Sequence, residues 1–328
     1  MHAELVSTTR NPVPSGVISG YFDADDGVKI RFARWQCTAE PRLGTVCLFP
    51  GRAEFIEKYF ETITDLRRRG FGVAIMDWRG QGGSSRLLSN PGKGHAESFT
   101  HHDEDLRRFM MQIVLPDCPP PYYSLAHSMG AHIVLRSAQT RVCWFDRIVL
   151  VSPMIKFLVP RGSLSVRCAV AEAMTLLGLG DLFIPGGNAD ALDPAGFADN
   201  PLTSDRLRYE RAREVLQSAP QLGIGAPTIG WIAAACNSIN HIHSMGFMDA
   251  VRVPILIVAA GNDNMVSTDA SEAYAARIKN CTRVVLAGAK HEILQERDDL
   301  REQFWAAFDS YIPGSARMPR QTEQGWRG

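Results

Sequence analysis

Tyr122-Tyr123-Ser124-Leu125-Ala126-His127-Ser128-Met129-Gly130-Ala131 contains an abrupt change of character. A strand-like run of aromatic and apolar residues stops at Ser128, and a helix-like pattern of Ile133, Val134, Leu135 and Ala138 begins at once. Ala126 and Gly130 flank the serine at two residues on either side. A serine on a tight strand-to-helix turn needs unfavourable backbone angles, and the chain before and after it passes close by. Only residues with little or no side chain fit there. The turn lifts the serine oxygen above the sheet edge, where the N-terminal amides of the helix face any negative charge that develops. Ser128 is thus read as a nucleophile. A serine that merely caps a helix satisfies the same local pattern, so the rest of the chain must decide.

Upstream, Gly20-Tyr21-Phe22, a turn at Asp23-Ala24-Asp25-Asp26-Gly27 and the alternating Val28-Lys29-Ile30-Arg31-Phe32 predict a hairpin. Thr45-Val46-Cys47-Leu48-Phe49-Pro50 and Val73-Ala74-Ile75-Met76-Asp77 are apolar runs without polar alternation, the signature of strands buried on both faces of a parallel sheet. A helix over 56–69 separates them, and another over 103–114 precedes the Ser128 strand. Arg147-Ile148-Val149-Leu150-Val151-Ser152 follows the serine helix. This alternation predicts a mostly parallel, doubly wound α/β sheet flanked by helices.

From 154 to 250 the pattern breaks. Helical stretches over 164–177, 205–217 and 231–237 are separated by Pro185-Gly186-Gly187, Pro194, Pro201 and Pro227, which predicts an inserted helical cap. The core is then 1–153 together with 251–316. The sheet resumes at Pro254-Ile255-Leu256-Ile257-Val258-Ala259-Ala260-Gly261 and at Thr282-Arg283-Val284-Val285-Leu286-Ala287-Gly288, with a helix over 298–308. The polar tail 317–328 is expected to be disordered.

Each resumed strand ends beside a candidate partner for Ser128: Asp263 after Gly261, and His291 after Gly288. In an open α/β sheet the loops after the carboxyl ends of the strands build the site. Ser, Asp, His is the chain order of a hydrolase triad on such a sheet. His291 would take the proton of Ser128 and return it to the leaving group, while Asp263 fixes the imidazole tautomer. Gly51 lets the chain turn sharply after Pro50, so the amide of Arg52 can join that of Met129 as an oxyanion hole.

Composition narrows the classes. The 35 basic and 35 acidic side chains cancel, which argues against nucleic acid and an electrostatic membrane grip. The seven cysteines lack metal spacing and are read as reduced thiols of a cytoplasmic protein. No stretch is apolar enough to span a bilayer. The run His101-His102-Asp103-Glu104-Asp105 is read as acids at a helix start, not as a metal site. His241-Ile242-His243 is read as a loop or cap element. Asp77-Trp78-Arg79-Gly80 is read as a structural lock, and His127 as packing or hydrogen-bonding under the turn. The arginines at 206, 208, 211 and 213, interleaved with acids, are read as a solvated helix face.

The segments Pro50-Gly51-Arg52-Ala53-Glu54, Asp77-Trp78-Arg79-Gly80-Gln81-Gly82, Gly94-His95, Ala126-His127-Ser128-Met129-Gly130 and Gly288-Ala289-Lys290-His291-Glu292 resemble the bacterial lysophospholipase and monoacylglycerol lipase branch of the α/β hydrolases. Gly225-Ala226-Pro227-Thr228-Ile229-Gly230-Trp231, and Leu202-Thr203 with Arg208-Tyr209, resemble the lysophospholipases in particular. Monoacylglycerol lipases carry a histidine where this chain has Pro50, which favours the lysophospholipase side. The resemblance implies a serine hydrolase of carboxylic esters acting on lipids without a cofactor or metal, with peripheral membrane contact at the inner face. A short-chain carboxylesterase, a lactonase or an acyltransferase would use the same triad. A non-catalytic hydrolase-fold binding protein is the alternative of another class, and proline-specific peptidase activity lacks a visible acidic amine-binding constellation.

Overall fold

The computed structural model describes residues 3–139, 143–158, 163–192 and 196–315. The tail expected to be disordered, and Pro194, lie outside them. The hairpin forms as read: β1 (Ile18–Asp23) pairs antiparallel with β2 (Lys29–Trp35). β3 (Gly44–Phe49), β4 (Phe71–Met76), β5 (Tyr122–His127), β6 (Arg147–Val151), β7 (Ile255–Ala260) and β8 (Cys281–Leu286) complete one sheet. The order is β1-β2-β4-β3-β5-β6-β7-β8, and from β4 onward every pairing is parallel.

Two apolar layers clamp this sheet, and each inner strand divides its side chains between them. Val46, Leu48, Ile75, Leu125 and Val149 pack on one face with Phe60, Ile63 and Leu66 of the Phe60–Arg68 helix and Phe304 and Phe308 of the Asp298–Tyr311 helix. Cys47, Phe49, Met76, Ala126 and Leu150 pack on the other, with Phe109 of the Phe99–Phe109 helix and Ile133 and Val134 of the Ser128–Ser137 helix. Burial on both sides is why these strands show no polar alternation. β8 is an edge strand and is largely exposed, so its sequence mixes Thr282 and Arg283 with valines.

Between β6 and β7 lie helices Leu164–Met174, Arg206–Ser218, Ile229–Ile242 and Met245–Ala250. Both ends of this segment merge with the core. Ile155 is fully buried, Phe157 bridges to Val266, and Trp231, Ile239, Ile242 and Phe247 join the same apolar layer as β3.

Three expectations need correction. Cys168 and Cys236 form a disulfide, so these two are not reduced thiols. Their helices pack side by side and bring the Cα atoms to 5.8 Å, a proximity hidden by a separation of 68 residues. Second, the acids at 103–105 do not open their helix. It starts at Phe99, capped by the Ser98 hydroxyl, and the acids meet arginines instead: Asp103 with Arg136, Asp105 with Arg79. Third, Arg208 and Arg211 do not face solvent alone. Both bind Glu61 on the core, and Arg208 also binds Asp205 and Asp298, which ties the Arg206–Ser218 helix down.

Candidate active site

The turn at Ser128 has the strain its neighbours suggest. Ser128 sits at φ 50°, a left-handed conformation unusual for a non-glycine residue. Gly130 is required by contact: a Cβ there would lie 2.4 Å from the carbonyl oxygen of Pro50. At Gly51 an added Cβ would come within 3.2 Å of the Ser128 Cβ, so the loop after β3 lies directly against the serine.

Asp263, after β7, and His291, after β8, reach this turn from two loops. His291 Nε2 stands 2.9 Å from Ser128 Oγ, and its Nδ1 stands 2.7 Å from Asp263 Oδ2. The backbone amides of Met265 and Val266 donate to Asp263 Oδ1 at 2.7 and 3.0 Å, fixing the carboxylate. Burial alone would raise the Asp263 pKa, but the His291 hydrogen bond and charge, with the two amides, hold it below the usual range. With Nδ1–H donated to Asp263, Nε2 is left to accept the serine proton. Ser128 itself is half-buried and reachable from outside.

Beneath lies a buried network in which His127 hydrogen-bonds under the turn, with partners that the sequence does not point to. Glu54 Oε2 accepts from the Gly51 amide, from Tyr59 Oη at 2.5 Å and from His127 Nδ1 at 3.0 Å. His127 Nε2 faces the carbonyl oxygen of His291 at 3.1 Å. A carboxylate on one ring nitrogen and a carbonyl on the other both call for N–H donors, so His127 is an imidazolium. Burial pushes its pKa down, but Glu54, with help from Glu292, outweighs this and raises it. Burial likewise opposes the Glu54 charge, and His127 and Lys58 more than offset that, holding its carboxyl well below the usual range. Lys58 bridges Glu54 at 3.1 Å and Glu292 at 2.6 Å. One charge cluster therefore holds both the loop after β3 and the backbone of His291.

That loop is braced from a second side. Trp78 Nε1 donates to the Pro50 carbonyl at 2.8 Å, and Gln81 Nε2 donates to the carbonyls of Gly51 and Glu54 at 2.7 and 3.0 Å. The Ala53 amide donates back to Gln81 Oε1. Asp77 accepts from Arg31, Ile56 N and Gly83 N, and Arg79 is clamped by Asp26 and Asp105. Only alternating polar residues around Asp77 could have hinted at this, because the partners are far apart in sequence. His102 is buried and its pKa is pushed down to about 3 by burial first and Arg79 second. His243 Nε2 meets the Ile155 carbonyl, and the His241 ring packs on Phe247. A groove of about 930 Å³ between the inserted segment and the core is lined by Arg86, Gly92, Ala191 and Gln217, and it contains none of Ser128, Asp263 and His291.

A largely parallel sheet carrying a strained serine turn after its central strand defines an α/β hydrolase. More narrowly, the chain belongs to the serine aminopeptidase S33 family of hydrolases, which its sequence matches over residues 40–298. It is 32% identical over 288 residues to lysophospholipase L2 of Escherichia coli K12, covering 85% of this chain and 83% of that one. It is 28% identical over 268 residues to a probable lysophospholipase L2 of Haemophilus influenzae, covering 81% and 82%. Among solved structures, a soluble variant of the Saccharomyces cerevisiae monoglyceride lipase, in complex with a substrate analog, superposes with a TM-score of 0.72 at 18% identity. That match covers 92% of this chain and 97% of the other and speaks to the fold. The protein is a serine hydrolase.

Proposed function

We propose that this protein hydrolyses the carboxylic ester of a monoacyl lipid, as a lysophospholipase does, through an acyl-enzyme on Ser128. The observation that carries this reading is the unbroken Ser128–His291–Asp263 chain at 2.9 and 2.7 Å, set on a serine with φ 50°. Ser128 Oγ attacks the ester carbonyl as His291 Nε2 takes its proton, and the amides of Arg52 and Met129 receive the oxyanion. His291 then gives the proton to the glycerol oxygen, which leaves. Water, deprotonated by His291, releases the fatty acid and restores Ser128. The relationship to lysophospholipase L2 supports a lipid ester over a peptide bond, despite the family's aminopeptidase description. Residues 154–250 serve as a cap over the acyl chain.

Membrane contact at the cap belongs to the same reading. Val166, Val170, Leu176, Leu177 and Leu182 are exposed on one stretch of it, a surface suited to a lipid interface. Among the described residues no helix is long and apolar enough to cross a membrane. Residence on the cytoplasmic side is not part of the reading, because the Cys168–Cys236 disulfide fits an oxidising milieu.

The test is turnover of 1-oleoyl lysophosphatidylethanolamine, 1-oleoylglycerol and p-nitrophenyl butyrate by the wild type and Ser128→Ala, with fluorophosphonate labelling mapped by mass. Label on Ser128 and a clear kcat/KM preference for a long-chain lipid are expected. An unlabelled Ser128 in folded protein would sink the acyl-enzyme, and preference for the butyrate would sink the lipid assignment.

A further inference from the structure

Arg52 contributes more than its amide to the loop against Ser128. Its Nη1 and Nη2 donate to one carbonyl, that of Gly225, at 3.0 and 2.9 Å, and the guanidinium lies 5.6 Å from the centre of the Trp231 ring. Among the described residues no carboxylate comes within 4.0 Å of it. Arg31, Arg79, Arg136, Arg208 and Arg301 each meet at least one carboxylate. Arg67 and Arg86 meet carbonyls alone, but neither stands in the loop against the serine. A part-buried cation in the loop against the serine, without a counter-charge, is costly to keep unless an anion arrives there. Burial lowers the Arg52 pKa to about 10, which leaves it charged at neutral pH.

The group is also held in place. Gly225 N donates to the Gly92 carbonyl at 2.8 Å, Gly94 N to the Ala226 carbonyl at 3.3 Å and Thr228 N to the Gly94 carbonyl at 2.9 Å. This strip is the cap motif Gly225-Ala226-Pro227-Thr228 singled out in the sequence, and it fixes the carbonyl that Arg52 grips. Gly94 leaves room for the guanidinium, since a Cβ there would lie 2.9 Å from Nη1. Arg52, His95, Met129 and Trp231 line one small cleft, so the charge lies beside the residue that follows the nucleophile. His95 is no competing cation, because burial lowers its pKa. Two of the guanidinium N–H groups serve Gly225, and the remaining ones can meet a ligand.

We propose that the Arg52 side chain is the phosphate-recognising group of the site, selecting acyl esters that carry an anionic phosphodiester over neutral monoacylglycerols. This rests on the ester-hydrolase reading above. The match in reach follows from covalent structure. In a 1-acyl lysophospholipid the carbonyl carbon and the phosphorus are separated by the same number of bonds as the amide nitrogen and guanidinium carbon of an arginine. With its amide on the oxyanion, Arg52 has a side chain of matching length for the phosphate of the same molecule. Guanidinium and phosphate make charge-assisted, often bidentate hydrogen bonds.

The experiment compares wild type, Arg52→Gln and Arg52→Lys on 1-octanoyl lysophosphatidylethanolamine and 1-octanoylglycerol, both held below micelle formation. The readout is the ratio of their kcat/KM values, in which any common effect on the oxyanion loop cancels. Arg52→Gln should lower the phospholipid-to-glyceride ratio by about 10- to 100-fold, mainly through KM, and Arg52→Lys by less, since it keeps the charge but not the fork. A ratio unchanged in both variants would assign the side chain to holding Gly225 and overturn the proposal. Labelling of Ser128 by fluorophosphonate in the wild type reports separately on the hydrolase reading. Should Arg52→Gln fail to fold, inhibition of wild-type p-nitrophenyl butyrate hydrolysis decides: glycerophosphoethanolamine should compete well below the concentration at which glycerol does, and equal potency would overturn the assignment.

Discussion

Strain at Ser128 sets a stability contrast that catalysis alone does not. Its φ of 50° costs a side chain of any kind on the order of 1 kcal/mol, whereas glycine adopts it freely. Ser128→Ala and Ser128→Gly should both lose a thousandfold or more in kcat, roughly the scale seen when a triad nucleophile is removed. Yet Ser128→Gly should be about 1 kcal/mol more stable than Ser128→Ala, read from thermal or urea unfolding. A glycine variant less stable than the alanine one would mean that the turn is not strained. Glu54 supplies a second residue-level case. Glu54→Gln leaves His127 without its carboxylate partner, and Lys58 with Glu292 alone, and should destabilise by about 3 kcal/mol, with a fall in kcat as the Gly51 loop and His291 backbone lose their common anchor. The pH dependence has a definite sign. His127 has a raised folded pKa, so its contribution is complete below the unfolded value near about 6.5 and is lost as pH rises through the folded one. Glu54 has a lowered pKa, so its contribution is present above about 4.3 and is lost as pH falls through the folded value. The stability gap between wild type and Glu54→Gln should thus be widest in mildly acidic solution and narrow toward alkaline pH. A gap that widens steadily up to pH 9 would rule out the imidazolium.

At the scale of elements, the sheet and the three residues around the serine turn were legible because each signal is local. Runs such as Val46-Cys47-Leu48-Phe49 are buried on both faces, and Ser128, Asp263 and His291 each directly follow the end of a strand or its turn. Of the bracing, the lock at Asp77 and Arg79 and a role for His127 under the turn were legible, but their partners were not. Glu54 meets His127 across 73 residues, and His127 meets His291 across 164, so no spacing rule connects them. The helix carrying Asp103 was misplaced because its acids look like a first turn, while the real start, Phe99, comes four residues before the predicted one and rests on the hydroxyl of Ser98. The Cys168–Cys236 link was hidden in the same way, by helices that become neighbours only in the fold. Closing a loop of this length should stabilise by about 4 kcal/mol in the chain-entropy account. Non-reducing peptide mapping of protein refolded in air should recover the Cys168–Cys236 peptide pair. Reduction should lower the unfolding midpoint, with proteolysis appearing first in the helices that the link joins. Finding both thiols free under oxidising conditions would remove the link and restore the all-thiol reading.

For the whole molecule, the proposed membrane contact would be apolar and not electrostatic. The basic and acidic side chains balance at 35 each, so attraction to anionic lipid has no net charge to act through. Leu176 and Leu177, by contrast, are 83% and 77% exposed in the segment between β6 and β7. Inserting each into a lipid interface is worth roughly 1.5–3 kcal/mol, the value for removing such a side chain from water. Vesicle binding should therefore change little between low and high salt, and little with the fraction of anionic lipid. The double change Leu176→Asp with Leu177→Asp touches exposed positions, so unfolding stability should move by no more than about 0.5 kcal/mol for each. It should nonetheless weaken co-sedimentation with neutral phosphatidylcholine vesicles by about tenfold or more. Hydrolysis of lysophospholipid embedded in those vesicles should fall relative to hydrolysis of dissolved p-nitrophenyl butyrate. If binding instead collapses with salt and survives the double substitution, attachment is electrostatic and the apolar face at Leu176 and Leu177 has another use.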